Sequence, residues 1–373
     1  MASRPKSKSG PGAALAYAGV RAAMVPPLVA GLGVSREIAR GLGRRFGSMP
    51  FNRRRVDRAA ERVSQAFPDL DAGSCRELVL RGYEHLAMLA VEIGAVPRMI
   101  RHGSWPRHVE LGQMREALAG DLEGRAVVFI TGHCGNWEIV GSSVATLGLP
   151  MHAVYRPLDL KPLDDWVRTT RGAAGIRLID KFSAADVLPG LLERGGRVAF
   201  VADQNAGDRG LFVPFFGRLA STYKTVALLA LQRRAWVVVS WARRLGWDSG
   251  GGGPARGASR TVGGDGLRYQ VDVVDTFGPE DYEAQEDPVF YITARYRRGI
   301  EAMVRQAPEQ YLWMHRIWKS RPVHERKDKP FPDRLRRRVS ALPWMDDAAV
   351  SALVDRSDRD RAWLAANGVE RLP

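Results

Sequence analysis

Cysteine is scarce in this chain: two residues of 373, Cys75 and Cys134, far apart and without C-x-x-C spacing. That scarcity argues against a disulfide framework or a structural zinc site and favours a reducing compartment. A long apolar run is also missing. Ala13 to Val34 comes nearest, but Arg21 interrupts it and Pro26-Pro27 is expected to break any helix there. A clean membrane span needs about 20 continuous apolar residues. Ala22-Ala23-Met24 makes a poor cleavage site, so a secretory leader fits no better. No internal repeat is visible. The glycines at 250–253 are followed neither by G-K-[ST] nor by a helix, so Asp248 to Gly266 reads as a flexible surface loop rather than a phosphate cradle.

Acids are the scarcer charge, 41 against 56 Lys and Arg, giving a net +15. The excess is not evenly spread. Residues 1–55 hold eleven basic residues and one acid, residues 316–338 hold ten and three, and the rest of the chain is close to neutral. Nucleic-acid enzymes more often distribute cations along a groove with aromatics between them. Cationic flanks around a neutral body fit anionic lipid instead, where each Lys or Arg at the surface contributes roughly 1 kcal/mol. The expectation is a basic N-terminal segment, 1–50, that lies on the cytoplasmic leaflet as a peripheral or shallow anchor. A main body follows over 51–322, then a basic tail with a terminal helix over 323–373. An apolar content of 45% supports a sizeable core in that body.

Periodicity supplies the elements. Val56, Ala60, Val63 and Phe67 mark a helix that Pro68-Asp69 ends, and Leu78, Gly82, Leu86 and Leu89 stripe a longer one, with Ser74 as its expected N-cap. From about Arg125 short apolar runs alternate with helices. Strands are expected at Ala126 to Ile130, Met151 to Tyr155, Ile176 to Ile179, Val198 to Val201 and Trp236 to Trp241, and an edge strand at Arg268 to Val274. The fold class is therefore α/β, a mainly parallel sheet with helices on both faces. A late helix around Ile292 to Met303 and a terminal one from Asp346 to Ala365 complete the pattern.

The chemistry concentrates in Thr131-Gly132-His133-Cys134-Gly135-Asn136-Trp137-Glu138, which follows a buried strand and opens a helix. Catalytic side chains of α/β folds emerge at such strand ends. Histidine accepts a proton near neutral pH. A carboxylate beside it fixes the tautomer and stabilises the imidazolium, and Glu138 is the nearest in sequence. The two glycines permit tight backbone, and N–H groups at the helix start are available for an oxyanion or a phosphate.

This string resembles the H-x4-D/E motif of the lysophospholipid acyltransferase superfamily. More narrowly, G-H-x-G-N-W-E is similar to the late acyltransferases of lipid A biosynthesis and their phosphatidylinositol mannoside relatives. Further blocks follow in order: Val154-Tyr155-Arg156-Pro157, then Asp203-Gln204 with Phe212 to Gly217, then Pro308 to Pro322. Ile317 departs from the pattern, since many relatives carry a second Arg there. The resemblance implies an enzyme that moves a fatty acyl group from a thioester of acyl carrier protein or coenzyme A to a hydroxyl of a lipid or glycolipid. No cofactor and no metal is implied. His133 and Glu138 would be catalytic, and Asn136, Arg156, Asp203, Gln204, His315 and Arg316 would serve the substrates. Two other readings are a thioester hydrolase with Cys134 as nucleophile and a non-enzymatic binder of anionic lipid. Nucleic acid is not an expected partner.

Overall fold

The computed structural model describes residues 9–247 and 267–373, so the glycine-rich stretch lies outside the described residues. The chain opens with four helices, α1 (Pro11–Val29), α2 (Leu32–Ser48), α3 (Arg53–Ala66) and α4 (Ala72–Met99). An alternating run follows: β1 (Val109–Leu111), α5 (Arg115–Leu122), β2 (Val127–Thr131), α6 (Trp137–Thr146), β3 (Met151–Tyr155), α7 (Lys161–Ala173), β4 (Ile176–Asp180), α8 (Ala184–Glu193) and β5 (Arg197–Val201). A hairpin, β6 (Leu211–Phe215) and β7 (Arg218–Thr222), precedes α9 (Thr225–Arg233), β8 (Trp236–Arg244) and β9 (Tyr269–Phe277). The last helices are α10 (Pro279–Tyr282), α11 (Pro288–Gln306), α12 (Val323–Arg326), α13 (Asp333–Ser340) and α14 (Asp347–Asn367).

Seven strands form one sheet in the order β1-β9-β8-β2-β5-β3-β4. All neighbours are parallel except β8 and β9. Every residue of β2 is buried, as a central parallel strand requires when helices cover both faces. Its side chains alternate between two cores. Val128 and Ile130 pack with Val198, Val237 and Val239 on one face, and Val127 and Phe129 with Val144, Met151 and Val238 on the other.

Three local expectations are corrected. α1 runs through both prolines to Val29. The cap of α4 is Asp71, whose Oδ1 accepts from the backbone N–H of Ser74 at 2.9 Å, so Ser74 lies inside the helix. β9 is not an edge strand, since the three-residue β1 pairs along its outer side. The β6–β7 hairpin has no clear period-2 signal. It turns on Phe216 and Gly217, both at positive φ, as a two-residue hairpin turn demands.

Two buried polar networks lock the periphery to the sheet. Glu92 of α4 is fully buried and accepts from Arg36 of α2 (2.8 Å), the Tyr269 hydroxyl (2.5 Å), Asn136 Nδ2 (3.4 Å) and Arg244. Near the C-terminal end, buried Arg321 donates to Glu325 (2.6 Å), to Asp360 of α14 (2.8 Å) and to the Leu219 carbonyl (2.6 Å). Arg218 donates to the same Asp360 at 2.7 Å. Residues expected as a basic tail are thus folded onto the β6–β7 hairpin.

Candidate active site

β2 ends at Thr131 beside the end of β5, and the Ala202 N–H donates to the Thr131 carbonyl at 2.9 Å. Parallel pairing therefore sets the residues after both strands side by side, and these are His133 and Asp203. The turn between them and α6 is held from three directions. Gly135 N–H donates to the Gln310 carbonyl (3.0 Å), Leu312 N–H to the His133 carbonyl (3.1 Å) and Asn136 N–H to the Ala242 carbonyl (2.8 Å). His85 Nε2 donates to the Gly135 carbonyl at 3.0 Å, and burial pushes that imidazole down to about 3, so it serves as a neutral prop. Gly135 sits at φ +62, and a Cβ there would lie 2.1 Å from the Ala242 oxygen; only glycine fits.

The carboxylate on His133 is Asp203. His133 Nδ1 donates to Asp203 Oδ1 at 2.6 Å, and the His133 backbone N–H donates to Oδ2 at 2.9 Å. Asp203 is fully buried. Burial works against charge on both groups, but their mutual attraction outweighs it. The imidazole is raised above its ordinary value and the carboxyl is held well below the usual carboxylate range. With Nδ1–H committed to Asp203, Nε2 is the ring nitrogen that can take a proton. His315 stands edge-on to His133, with ring centroids 4.7 Å apart. Burial first, and His133 next, lower it to about 4, so it is neutral at physiological pH. Ligand atoms of His133, Asp203 and His315 lie within 4.8 Å of one another. Both Asp203 oxygens accept from His133, and His315 meets the pair through its edge-on ring contact with His133.

Glu138, expected to hold the imidazole, is bonded elsewhere. It is 5% exposed and forms a two-point ion pair with Arg171 of α7, whose Nε donates to Oε2 at 2.8 Å. Its five-residue offset from His133 places it on the first turn of α6, against α7, while the β2–β5 pairing delivers Asp203 to Nδ1. Asn136 is not at the substrate surface either. It is fully buried, and its Oδ1 caps α6 by accepting from the N–H groups of Glu138 (3.1 Å) and Ile139 (3.3 Å). That cap occupies two of the helix-start donors expected to serve an oxyanion.

A cavity of about 420 Å³ opens at His133. Its polar wall carries Glu138, Arg171, Arg156 and Gln204, and its body is apolar, with Phe129, Val140, Met151, Leu158, Val167, Ile176 and Phe200. Such an apolar recess with a few convergent polar groups is the usual form of a small-molecule site. Arg156 is 63% exposed at the rim, and Gln204 Nε2 lies 3.5 Å from His315 Nε2. Arg316 points away, donating to the Leu372 carbonyl at 3.1 Å. Trp313 and Trp318 are core residues, and Ile317 is buried beside them. Lys224 is exposed at the start of α9. Cys134 is fully buried, and burial together with Asp203 raises its thiol well above the ordinary value, which opposes a thiolate nucleophile. Arg171 escaped sequence reading because it lies in no motif and meets Glu138 only when α7 packs beside α6.

Residues 5–248 match the family described as bacterial lipid A biosynthesis acyltransferase. The chain is 28% identical over 295 residues to the lipid A biosynthesis palmitoleoyltransferase of Escherichia coli, spanning 76% of this chain and 86% of that protein. It is 25% identical over 288 residues to the lipid A biosynthesis lauroyltransferase of the same organism, spanning 76% and 84%. A lipid A biosynthesis acyltransferase of Haemophilus influenzae is 22% identical over 268 residues, spanning 71% and 76%. His133, Glu138, Arg156, Arg171, Asp203 and Gln204 lie inside the family match, and His315 and Arg316 lie beyond it.

Proposed function

Since the chain belongs to the bacterial lipid A biosynthesis acyltransferase family and is an acyltransferase, we propose that it transfers a fatty acyl chain from a thioester of acyl carrier protein or coenzyme A to a hydroxyl of a lipid A precursor. The observation that carries this reading is the His133 Nδ1–Asp203 hydrogen bond at the mouth of an apolar cavity. His133 Nε2 removes the proton from the acceptor hydroxyl as its oxygen attacks the thioester carbonyl carbon. The tetrahedral intermediate collapses with cleavage of the C–S bond, and the departing sulfur takes the proton from the imidazolium. No acyl-enzyme forms. Asp203 orients the ring and stabilises its cationic state. Arg156 at the rim suits a phosphate of acceptor or donor, and the apolar body of the cavity suits the acyl chain.

The reaction is proposed to occur at the cytoplasmic face of the inner membrane. No described helix is long and apolar enough to cross a membrane. Yet α2 exposes Val34, Ile38, Leu42 and Phe46 at four-residue spacing, and α1 exposes Leu15, Val25 and Val29. A row of that kind lies flat in the headgroup region, with the basic flank drawn to anionic lipid.

The test incubates purified protein with labelled acyl thioesters and a panel of lipid acceptors, read by mass spectrometry. Acylated lipid is expected from the wild type and from Cys134→Ala, and none from His133→Ala. Acyl transfer to water alone would replace the transferase reading with a hydrolase. A trapped acyl group on Cys134 would replace the general-base mechanism.

A further inference from the structure

The cavity at His133 has a floor as well as a mouth. Thr131, Tyr155 and Val201 line it where their strands end, and Met151 and Ile176 line it where β3 and β4 begin. From Tyr155 back to Met151 is four steps of strand, about 13 Å. Between those levels the sheet presents small side chains. Ala153 of β3 is the register partner of Ala199 of β5, and both line the cavity, which makes them the bed of a slot.

Helix α6 closes that slot. Trp137, Glu138, Val140 and Gly141 line the cavity, and Gly141 is the last residue of α6 to do so. Val144, about one turn further on, is buried in the core with Met151. Met151 and Ile176 are register partners, so the two side chains end the slot together. A Cβ at position 141 would lie 2.8 Å from Ile176 Cδ1 and 4.0 Å from the Met151 sulfur. Glycine inside a helix costs stability relative to alanine, and Gly141 is not among the glycines at positive φ. The backbone therefore does not require glycine there; the space above Ile176 does.

We propose that Gly141 and Ile176 set the length of the acyl chain that the enzyme accepts. With the thioester carbonyl beside His133, the methyl end of the chain comes to rest against Ile176 and Met151. This inference rests on the acyl-transfer reading and adds to it the residues that select the chain. One methylene in an apolar pocket changes kcat/KM by roughly 10–200-fold, so one methyl group at the floor is enough to read.

Lauroyl, myristoyl and palmitoyl thioesters of acyl carrier protein and of coenzyme A are compared as donors to a lipid A precursor. Gly141→Ala adds a methyl group to the floor and should raise the lauroyl-to-palmitoyl ratio of kcat/KM at least tenfold. Ile176→Val removes Cδ1, the atom that methyl group would meet, and should shift the ratio toward the longer chain. The double variant should return toward the wild-type ratio. In parallel, lauric, myristic and palmitic acids are used to displace cis-parinaric acid, which reads chain binding without turnover. Thermal unfolding shows which variants are folded, and Ile176→Val alone decides if Gly141→Ala is not. A shifted preference in either assay supports the proposal. A shift in displacement from a wild type that transfers no acyl group removes the proposed function and leaves the slot. Transfer by the wild type with ratios unchanged in both single variants and both assays overturns the proposal and leaves the function. It is also overturned if the double variant does not offset the single shifts, or if the wild type neither transfers a chain nor binds the probe.

Discussion

Two carboxylates stand near the catalytic turn, and their chemistry separates them. Asp203 touches the imidazole and raises its basicity, while Glu138 is neutralised by Arg171. Because the His133 pKa is raised above 6.5, the imidazolium is favoured at low pH. Activity should therefore rise with pH through a midpoint above that value. Replacing Asp203 with Asn removes the charge that raises the pKa and leaves burial, which lowers it. The acid limb of kcat/KM should then move to lower pH, and kcat should fall on the order of 10²–10⁴-fold. Glu138→Gln should leave the limb where it was. A pH–rate profile of the two variants decides which carboxylate serves the base. The place of His133 at the mouth of a cavity was legible in the sequence, because a glycine-flanked turn between a buried strand and a helix puts its side chain at a strand end. Its partner was not, because 70 residues separate Asp203 from it.

Most elements followed from periodicity. The strand expected over Met151 to Tyr155 forms with those ends, and the helix expected from Asp346 begins at Asp347 with Asp346 as its cap. Of the misread places, the position of β9 in the sheet is set by a distant contact, whereas the Asp71 cap of α4 is local. β9 reads as an edge strand until β1, far upstream, pairs with it. The catalytic turn depends on the same kind of contact, since residues 310–312 and Ala242 clamp it. Gly135→Ala would drive a Cβ into the Ala242 oxygen at a positive φ. A loss of about 1–3 kcal/mol in stability is expected, with a larger fractional loss of kcat because His133 rides on that turn. Thermal unfolding and single-turnover rates measured together check both effects.

At the scale of the molecule, the charge segregation seen in the sequence is partly internal. Arg36 is paired with Glu92, Arg44 with Glu77 and Glu84, and Arg321 with Glu325 and Asp360. The outward face of α2 is instead an apolar row, with Ile38 55% and Leu42 61% exposed. Ile38→Asp/Leu42→Asp should fold normally, since neither side chain is in the core. Each apolar side chain contributes roughly 1.5–3 kcal/mol when fully buried, so partition onto anionic vesicles should weaken more than tenfold, as measured by vesicle sedimentation at fixed salt. Unchanged partition would remove α2 from the membrane contact.

The sequence by itself determined the alternation of strands and helices, the parallel sheet and the place of His133 between a buried strand and a helix, because these depend on side-chain period and on residue chemistry within a few positions. Only the tertiary structure decided which carboxylate meets His133, that Asn136 is a buried cap, that Arg171 holds Glu138, and that the C-terminal basic segment is folded onto the hairpin. The cap bonds of Asn136 are local, and only its burial is tertiary; the other three are contacts between residues distant in the chain, set by strand order and helix packing.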